Sequence, residues 1–143
     1  MQIAIVGCGF VADLYMATLP NYPDIKVKGV FDRDNERQAR FAKHYSLAQY
    51  NSLDEILDDD ISIVLNLTNP KNHYEISKAS LNAGKHVYSE KPLAMDMGDA
   101  QELVDLAKAK GLYLSGAPCS VLSECAQTTV SYTHLTLPTI LRV

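Results

Sequence analysis

The chain is poor in the features that mark most specialised protein classes. Its three cysteines, Cys8, Cys119 and Cys125, are an odd number without C-x-x-C spacing, which suggests neither a disulfide framework nor a zinc site. Positive charge is not in excess: 13 Lys and Arg against 17 Asp and Glu give a net charge of −4, which argues against a nucleic-acid partner. There is no run of 18 apolar residues, so no membrane-crossing helix and no membrane partner are expected. No charged-then-apolar leader stands before the first apolar run, which begins at Gln2 or Ile3, and a cytoplasmic location is expected. The sequon Asn66-Leu67-Thr68 would then never meet the glycosylating enzyme. What is present is a globular composition, 47% hydrophobic and 21% charged. A chain of 143 residues buries about 68–70% of its unfolded surface, enough for one domain with a real core.

Apolar runs alternate with helical patterns along the chain, the arrangement that builds βαβ units and a parallel sheet. Ile3 to Val6 is a first strand, followed by a helix with Val11, Leu14, Tyr15 and Thr18 on one face and Pro20 as its stop. Ile25 to Phe31 is a second strand, after which Asp34 can cap a helix carrying Ala39, Ala42 and Tyr45. Ser52-Leu53-Asp54-Glu55 reads as a capping box opening a short helix that ends near Leu57. Ile61 to Leu67 is almost continuously apolar and so reads as a strand buried on both faces. Asn72 to Ala83 is a helix closed by Gly84, Lys85 to Ser89 a fourth strand, and Leu112 to Gly116 a fifth. Between the last two, Ala100, Leu103, Val104 and Ala107 fall at helical spacing before Gly111. The expected fold is a Rossmann-type, doubly wound parallel α/β sheet with strand order 3-2-1-4-5. Ligands of such sheets bind at the carboxyl ends of the strands, where Gly7, Asp32, Thr68 and Glu90 all lie.

Gly7-Cys8-Gly9-Phe10-Val11-Ala12 follows directly on the first strand. A strand, a tight glycine turn and a helix start place backbone N–H groups and the positive end of the helix dipole where a pyrophosphate can sit. Gly7 permits the turn, Gly9 lets the phosphates approach, and small Ala12 lets the helix pack on the strand. Asp32, 23 residues beyond Gly9, is near the roughly 20 expected of the acid that accepts from a ribose 2′-OH. That acid predicts NAD in preference to NADP, while Arg33 beside it leaves NADP open. Cys8 needs only its backbone in this turn.

Lys91 follows the fourth strand, so its ammonium can reach the place of the nicotinamide. There it could donate a proton or hydrogen bond to a substrate oxygen, or stabilise developing alkoxide charge. His73 at a helix start is more often a capping or core histidine, His86 inside a strand is expected to be packed, and His44 is expected on a solvated helix face.

The motifs GCGFVA at 7–12, FDRD at 31–34, LTNPKNH at 67–73, AGKHVYSEKPLA at 83–94 and GAPCSVL at 116–122 resemble, in order, the Gfo/Idh/MocA family of NAD(P)-dependent oxidoreductases. The resemblance covers nearly all of residues 1–128. It implies hydride transfer on a sugar, inositol or related polyol, with Lys91 catalytic beside the nicotinamide. It further implies that Glu90 helps hold the nicotinamide ribose and that Pro92 shapes the turn as a cis peptide. Thr68, Asn69 and Pro70 would run along the cofactor with His73 close by. The candidate cofactor contacts are then Gly7, Gly9, Phe10, Val11, Ala12, Asp32, Arg33, Thr68, Asn69, Pro70, His73, Glu90 and Lys91; no metal is expected. Members of the family carry a second, α+β domain that supplies an aspartate and a histidine, and nothing here matches those two. The expectation is a dinucleotide-binding domain at 1–118 and a connection to an absent second domain at 119–129, the whole protein acting as a homo-oligomer.

The tail departs from this pattern. VSYTHLTLPT at 130–139 resembles the in-frame translation of a transposon-end sequencing adapter, so residues 130–143 read as non-native and His134 is set aside. Cys119 and Cys125 read as inert packing residues. The alternative to an oxidoreductase is a non-catalytic NAD(H) sensor, which needs the glycine turn and Asp32 but no ammonium at the nicotinamide.

Overall fold

A computed structural model describes residues 1–117; Cys119, Cys125, the connection at 119–129 and the tail at 130–143 lie outside the described residues. Its centre is β1, Gln2–Val6, whose last four residues are at most 2% exposed. Their alternation serves two layers. Ile3 and Ile5 pack with Ala12, Val30, Phe41 and Ala42 on one face, while Ala4 and Val6 pack with Ile56, Ile61 and Val64 on the other. A strand enclosed on both faces must be apolar throughout, which is why this run shows no polar alternation.

The first layer belongs to α1, Phe10–Thr18, and α2, Asn35–Tyr45; between them lies β2, Lys26–Phe31. Next come β3, Ala48–Gln49, α3, Leu53–Asp58, and β4, Ile63–Asn66. The chain continues with α4, His73–Asn82, β5, His86–Ser89, α5, Met97–Lys110, and β6, Leu114–Gly116. Leu81, Val87, Leu103 and Ala107 form a third core cluster from α4, β5 and α5. Every strand pair is parallel, and the sheet order is β3-β2-β1-β4-β5-β6. The Rossmann-type α/β fold read from the sequence is thus present.

The helix boundaries follow local chemistry. Asp34 accepts from the Arg37 N–H at 3.0 Å, Ser52 from the Glu55 N–H at 3.2 Å, and Asp96 from the Gly98 N–H at 2.7 Å. Gly111 ends α5 at φ 65°, a conformation that favours glycine. The Ser52 box is only half formed, because Glu55 takes the Asn51 N–H at 2.8 Å instead of reaching back to Ser52.

The strand order needs a correction. Five strands were expected with Ile61–Leu67 third, yet β4 pairs with β1 and not with β2. The third strand in sequence is the two-residue β3, paired to β2 through Gly29 and Val30. Two exposed residues carry no period, so tertiary contacts define this strand. The Gln38 side chain donates to Tyr50 O at 2.8 Å, and the Tyr50 N–H donates to Val30 O at 3.0 Å. Gly29 makes room, since a Cβ there would lie 2.6 Å from the Tyr50 ring.

This edge is tied to α3 by Asp59, which accepts from Lys28 Nζ at 2.5 Å, the Tyr50 hydroxyl at 2.6 Å and the Asp60 N–H at 2.7 Å. Those partners, Lys28 foremost, hold its carboxyl down at about 2. A depressed folded value means stability that is complete above the ordinary carboxylate value of about 4 and lost as pH falls toward 2. In thermal unfolding, Asp59→Asn should therefore melt below the wild type at neutral pH, and the two should converge near pH 2. Equal midpoints at neutral pH would show that this tie contributes nothing.

Candidate functional site

The cleft lies where strand order reverses, between the carboxyl ends of β1 and β4, with the end of β2 closing one side. Its cavity is about 330 Å³ and is walled by Gly7, Gly9, Asp32, Arg33, Thr68 and Asn69, with Arg37, Asn72 and Glu75 among the further lining residues. Six of the residues expected to hold the cofactor are therefore brought to one space by strand ends far apart in sequence.

Gly7 has φ 99°, and a Cβ on it would sit 2.7 Å from the carbonyl of Leu67 and 2.8 Å from the Thr68 nitrogen. Its N–H donates to Phe31 O at 2.8 Å, so this one residue joins β1 to the ends of both neighbouring strands. Gly9 differs: it is the N-cap of α1, has no side chain to satisfy the helix start, and a Cβ on it would meet nothing within 4 Å. The first glycine is required by the fold, and the second leaves room over the open N–H groups where a pyrophosphate fits. Phe10 and Val11 open the helix beside it, Phe10 76% exposed. Ala12 has the small-residue packing role read from the sequence. It is fully buried in the core, and its N–H is taken by Gly9 O at 2.9 Å.

Asp32 is held firmly. One carboxylate oxygen accepts from the Cys8 N–H at 2.8 Å and Arg37 Nε at 3.0 Å; the other accepts from the Asp34 N–H at 2.9 Å and Arg37 Nη2 at 3.1 Å. Its own N–H donates to the Gln38 side chain at 3.0 Å. Burial pushes this carboxyl up, but the two backbone donors and the guanidinium outweigh it and hold the group below its usual value. Cys8 is buried, and desolvation followed by the nearby Asp32 charge pushes its thiol up to about 12, so only its backbone takes part.

On the far side of the cleft a chain of buried hydrogen bonds supports the loop after β4. Asn66 donates to His73 O at 3.0 Å and to the Ser77 hydroxyl at 3.1 Å, and accepts from the Thr68 hydroxyl at 2.7 Å. Pro70 opens a 3₁₀ turn, Pro70–Asn72, leading into α4. His73 is fully buried, with Nδ1 2.6 Å from Pro92 O and Nε2 2.9 Å from Thr68 O. It sits beneath the cleft as a strut between the loops after β4 and β5, off the cavity wall where a contact to cofactor would be made.

The loop after β5 carries Glu90 and Lys91, one strand further along. Glu90 accepts from the Tyr15 hydroxyl at 2.9 Å and the Lys91 N–H at 3.2 Å, while its own N–H donates to Asn66 O at 2.9 Å. The Lys91–Pro92 peptide is cis. Among the described residues, no hydrogen bond or ion pair engages the exposed Lys91 ammonium. His86 accepts from the Tyr113 N–H at 3.0 Å and packs at a tilt against that ring, and His44 is exposed on α2.

Arg37, Tyr15, Gln38 and Asn66 were missed as site-building residues. For Arg37 the signal was available: an N-cap at Asp34 puts the residue three positions on at the first turn of α2, beside Asp32. Tyr15 could be read only as part of an apolar helix face.

The fold and cleft define an NAD-binding Rossmann domain. The family described as "Oxidoreductase family, NAD-binding Rossmann fold" (GFO_IDH_MocA) matches residues 1–117, and the chain belongs to it. The scyllo-inositol 2-dehydrogenase (NADP(+)) of Bacillus subtilis is 29% identical over 119 residues, covering 82% of this chain and 36% of that protein. A structure of GenD2 from gentamicin A biosynthesis in complex with NAD has a TM-score of 0.82 and 29% identity, covering 87% of this chain and 36% of that one. Biliverdin reductase from Synechocystis, in complex with biliverdin and NADP+, has a TM-score of 0.84 and 26% identity, covering 92% and 42%. The chain spans about a third of the length of the curated relatives it matches. Among the described residues no helix is long and apolar enough to cross a membrane.

The two glycines make a paired test. Gly9→Val should keep thermal stability within about 1 kcal/mol yet weaken NADH binding by more than about tenfold, because its side chain enters the phosphate space. Gly7→Ala should cost roughly 1–3 kcal/mol or more, through strained φ and contact with the Leu67 carbonyl. The reverse pattern, a destabilised Gly9 variant and a stable Gly7 variant, would refute the division of roles.

Proposed function

We propose that this chain is the cofactor half of an oxidoreductase that passes hydride between a substrate carbinol carbon and nicotinamide C4, with Lys91 assisting at the substrate oxygen. The observation that carries this reading is the Glu90–Lys91–Pro92 turn. It places an exposed ammonium without a protein partner among the described residues at the strand end next to the dinucleotide cleft. A nicotinamide bound there would supply the hydride donor or acceptor.

The chain's own residues then have separate tasks. Gly7 and Gly9 admit the pyrophosphate to the start of α1. The cleft residues Asp32 and Arg33 would hold the adenosine ribose, and Thr68 and Asn69, on the same cavity wall, would line the path between the two halves of the cofactor. The Tyr15 hydroxyl orients the Glu90 carboxylate toward the nicotinamide ribose. Lys91 donates a hydrogen bond or proton to the carbonyl oxygen during reduction, or stabilises alkoxide charge during oxidation.

A sugar, inositol or related polyol is the proposed substrate class, supported by two inositol dehydrogenases among the relatives. Residues 119–129 would lead to a second domain that completes the substrate pocket, with 130–143 foreign to it. The whole protein is proposed to be cytoplasmic and homo-oligomeric. A non-catalytic sensor of NAD(H) is less well supported, because binding alone gives no use for an ammonium that has no partner among the described residues.

In a protein carrying both domains, Lys91→Ala should hold the NADH dissociation constant within a few fold while slowing hydride transfer by roughly 10²-fold or more. Stopped-flow absorbance of the nicotinamide would read the rate. Turnover at the wild-type rate would remove Lys91 from the chemistry, and a wild-type protein with both domains that binds NADH yet passes hydride to no such substrate would favour the sensor.

A further inference from the structure

Glu90 and Lys91 are neighbours of opposite charge, yet among the described residues their side chains form no ion pair. The Glu90 carboxylate is engaged elsewhere. One oxygen accepts from the Tyr15 hydroxyl at 2.9 Å, and the other folds back onto the Lys91 main-chain N–H at 3.2 Å. The Glu90 backbone is fixed as well, because its N–H donates to Asn66 O at 2.9 Å and its carbonyl accepts from the Ser89 hydroxyl at 3.2 Å. Lys91, by contrast, is exposed.

Tyr15 is suited to hold a carboxylate in place. It follows Ala12 by three residues on α1, so both pack on the first core cluster, and the Tyr15 ring meets the Tyr88 ring edge-on at 5.9 Å. The hydroxyl is thus placed by the core, and little freedom is lost when it donates. Burial, followed by the Tyr88 and Glu90 side chains, pushes the ionisation of this hydroxyl up, so it stays a donor beside the carboxylate. A hydrogen bond to an ionised acceptor is among the stronger ones, whereas an exposed Glu–Lys pair is weak because the lysine stem must be ordered to make it. Among the described residues no other cation pairs with Glu90, so loss of the hydroxyl would leave the adjoining Lys91 ammonium as the partner for the released oxygen.

An ammonium paired to a carboxylate holds its proton more tightly and is drawn away from a third group. Resting on the role given to Lys91 above, we propose that Tyr15 is a positioning residue that holds the Glu90 carboxylate off the Lys91 ammonium and so keeps the lysine free for substrate. It acts from α1, the helix whose start faces the phosphate space, on the turn that carries the chemistry.

The test reads Lys91 directly in the 143-residue chain, by trace acylation with acetic anhydride and peptide mass spectrometry, with exposed Lys43 as internal reference. The reagent attacks neutral amines, so a carboxylate that keeps the proton on the ammonium slows it. Tyr15→Phe removes the hydroxyl and keeps the ring; Lys91 should then acylate about two- to fivefold more slowly, the range of a newly formed exposed ion pair. Adding Glu90→Gln to that variant should restore the wild-type rate, which it could not do if the first change had merely loosened α1. Glu90→Gln alone should alter the rate by less than about twofold, because Tyr15 already holds the carboxylate in the wild type. That single variant leaves the core untouched and serves as the readout should Tyr15→Phe fail to fold. An unchanged rate in Tyr15→Phe, a slowing that Glu90→Gln does not reverse, or clearly faster acylation in Glu90→Gln alone would overturn the proposal. None of these readouts needs turnover. Wild-type turnover by Lys91→Ala in a protein with both domains would therefore remove the catalytic reading and leave the acylation result standing.

Discussion

The close approach of the β4 end to Gly7 is the contact on which the cleft depends. With the Leu67 carbonyl and the Thr68 nitrogen within 2.8 Å of where a Cβ would stand, the β1 turn and the β4 loop cannot be spaced by any side chain. Backbone thus meets backbone at Gly7, while a Cβ on Gly9, two residues on, would meet nothing within 4 Å. The Gly7 N–H also holds Phe31 O, so the same residue brings the end of β2, and with it Asp32, to the wall.

From that floor two hydrogen-bonded systems run outward, and each is buried where it meets the sheet. Toward β2, the Cys8 N–H, Asp32, Arg37 and Gln38 link the glycine turn to the first turn of α2 and to the edge strand β3. Toward β5, Asn66, Thr68 and His73 link the loop after β4 to Pro92, while Glu90 returns to α1 through Tyr15. Buried polar groups of this kind are costly unless satisfied, and among the described residues every buried side-chain polar atom has a partner. A cofactor spanning the cleft would touch the ends of both systems, so the ammonium of Lys91 and the guanidinium of Arg37 are set by one scaffold.

How much of this was legible in the sequence depended on whether the cause was local. The glycine turn, the strand-end acid and the Glu90–Lys91–Pro92 turn follow from period and spacing, because a parallel strand buried on both faces must be continuously apolar and the loops after it must face the ligand. The Asp34 cap and the Gly84 and Gly111 helix ends were legible for the same reason. Strand β3 was not, since two exposed residues have no pattern and are held by pairing to β2, continued by Tyr50, and by Gln38 from α2. His73 and Ala12 are both fully buried, in keeping with the core histidine and the close-packing alanine that their positions suggested, whereas the partners of His73, Pro92 and Thr68, lie on loops whose approach no local pattern shows. Arg37 escaped notice because its partner, Asp32, was read as a free acceptor.

The account stands or falls on whether a dinucleotide occupies this cleft, and amide chemical-shift mapping of the 143-residue chain during titration with NADH addresses that most directly. Saturable shifts should concentrate at Gly9, Phe10, Val11, Asp32, Arg33, Thr68 and Asn69, with those of β3 and of the far end of α5 nearly unmoved. No saturable shifts, or shifts centred away from the ends of β1, β2 and β4, would contradict it.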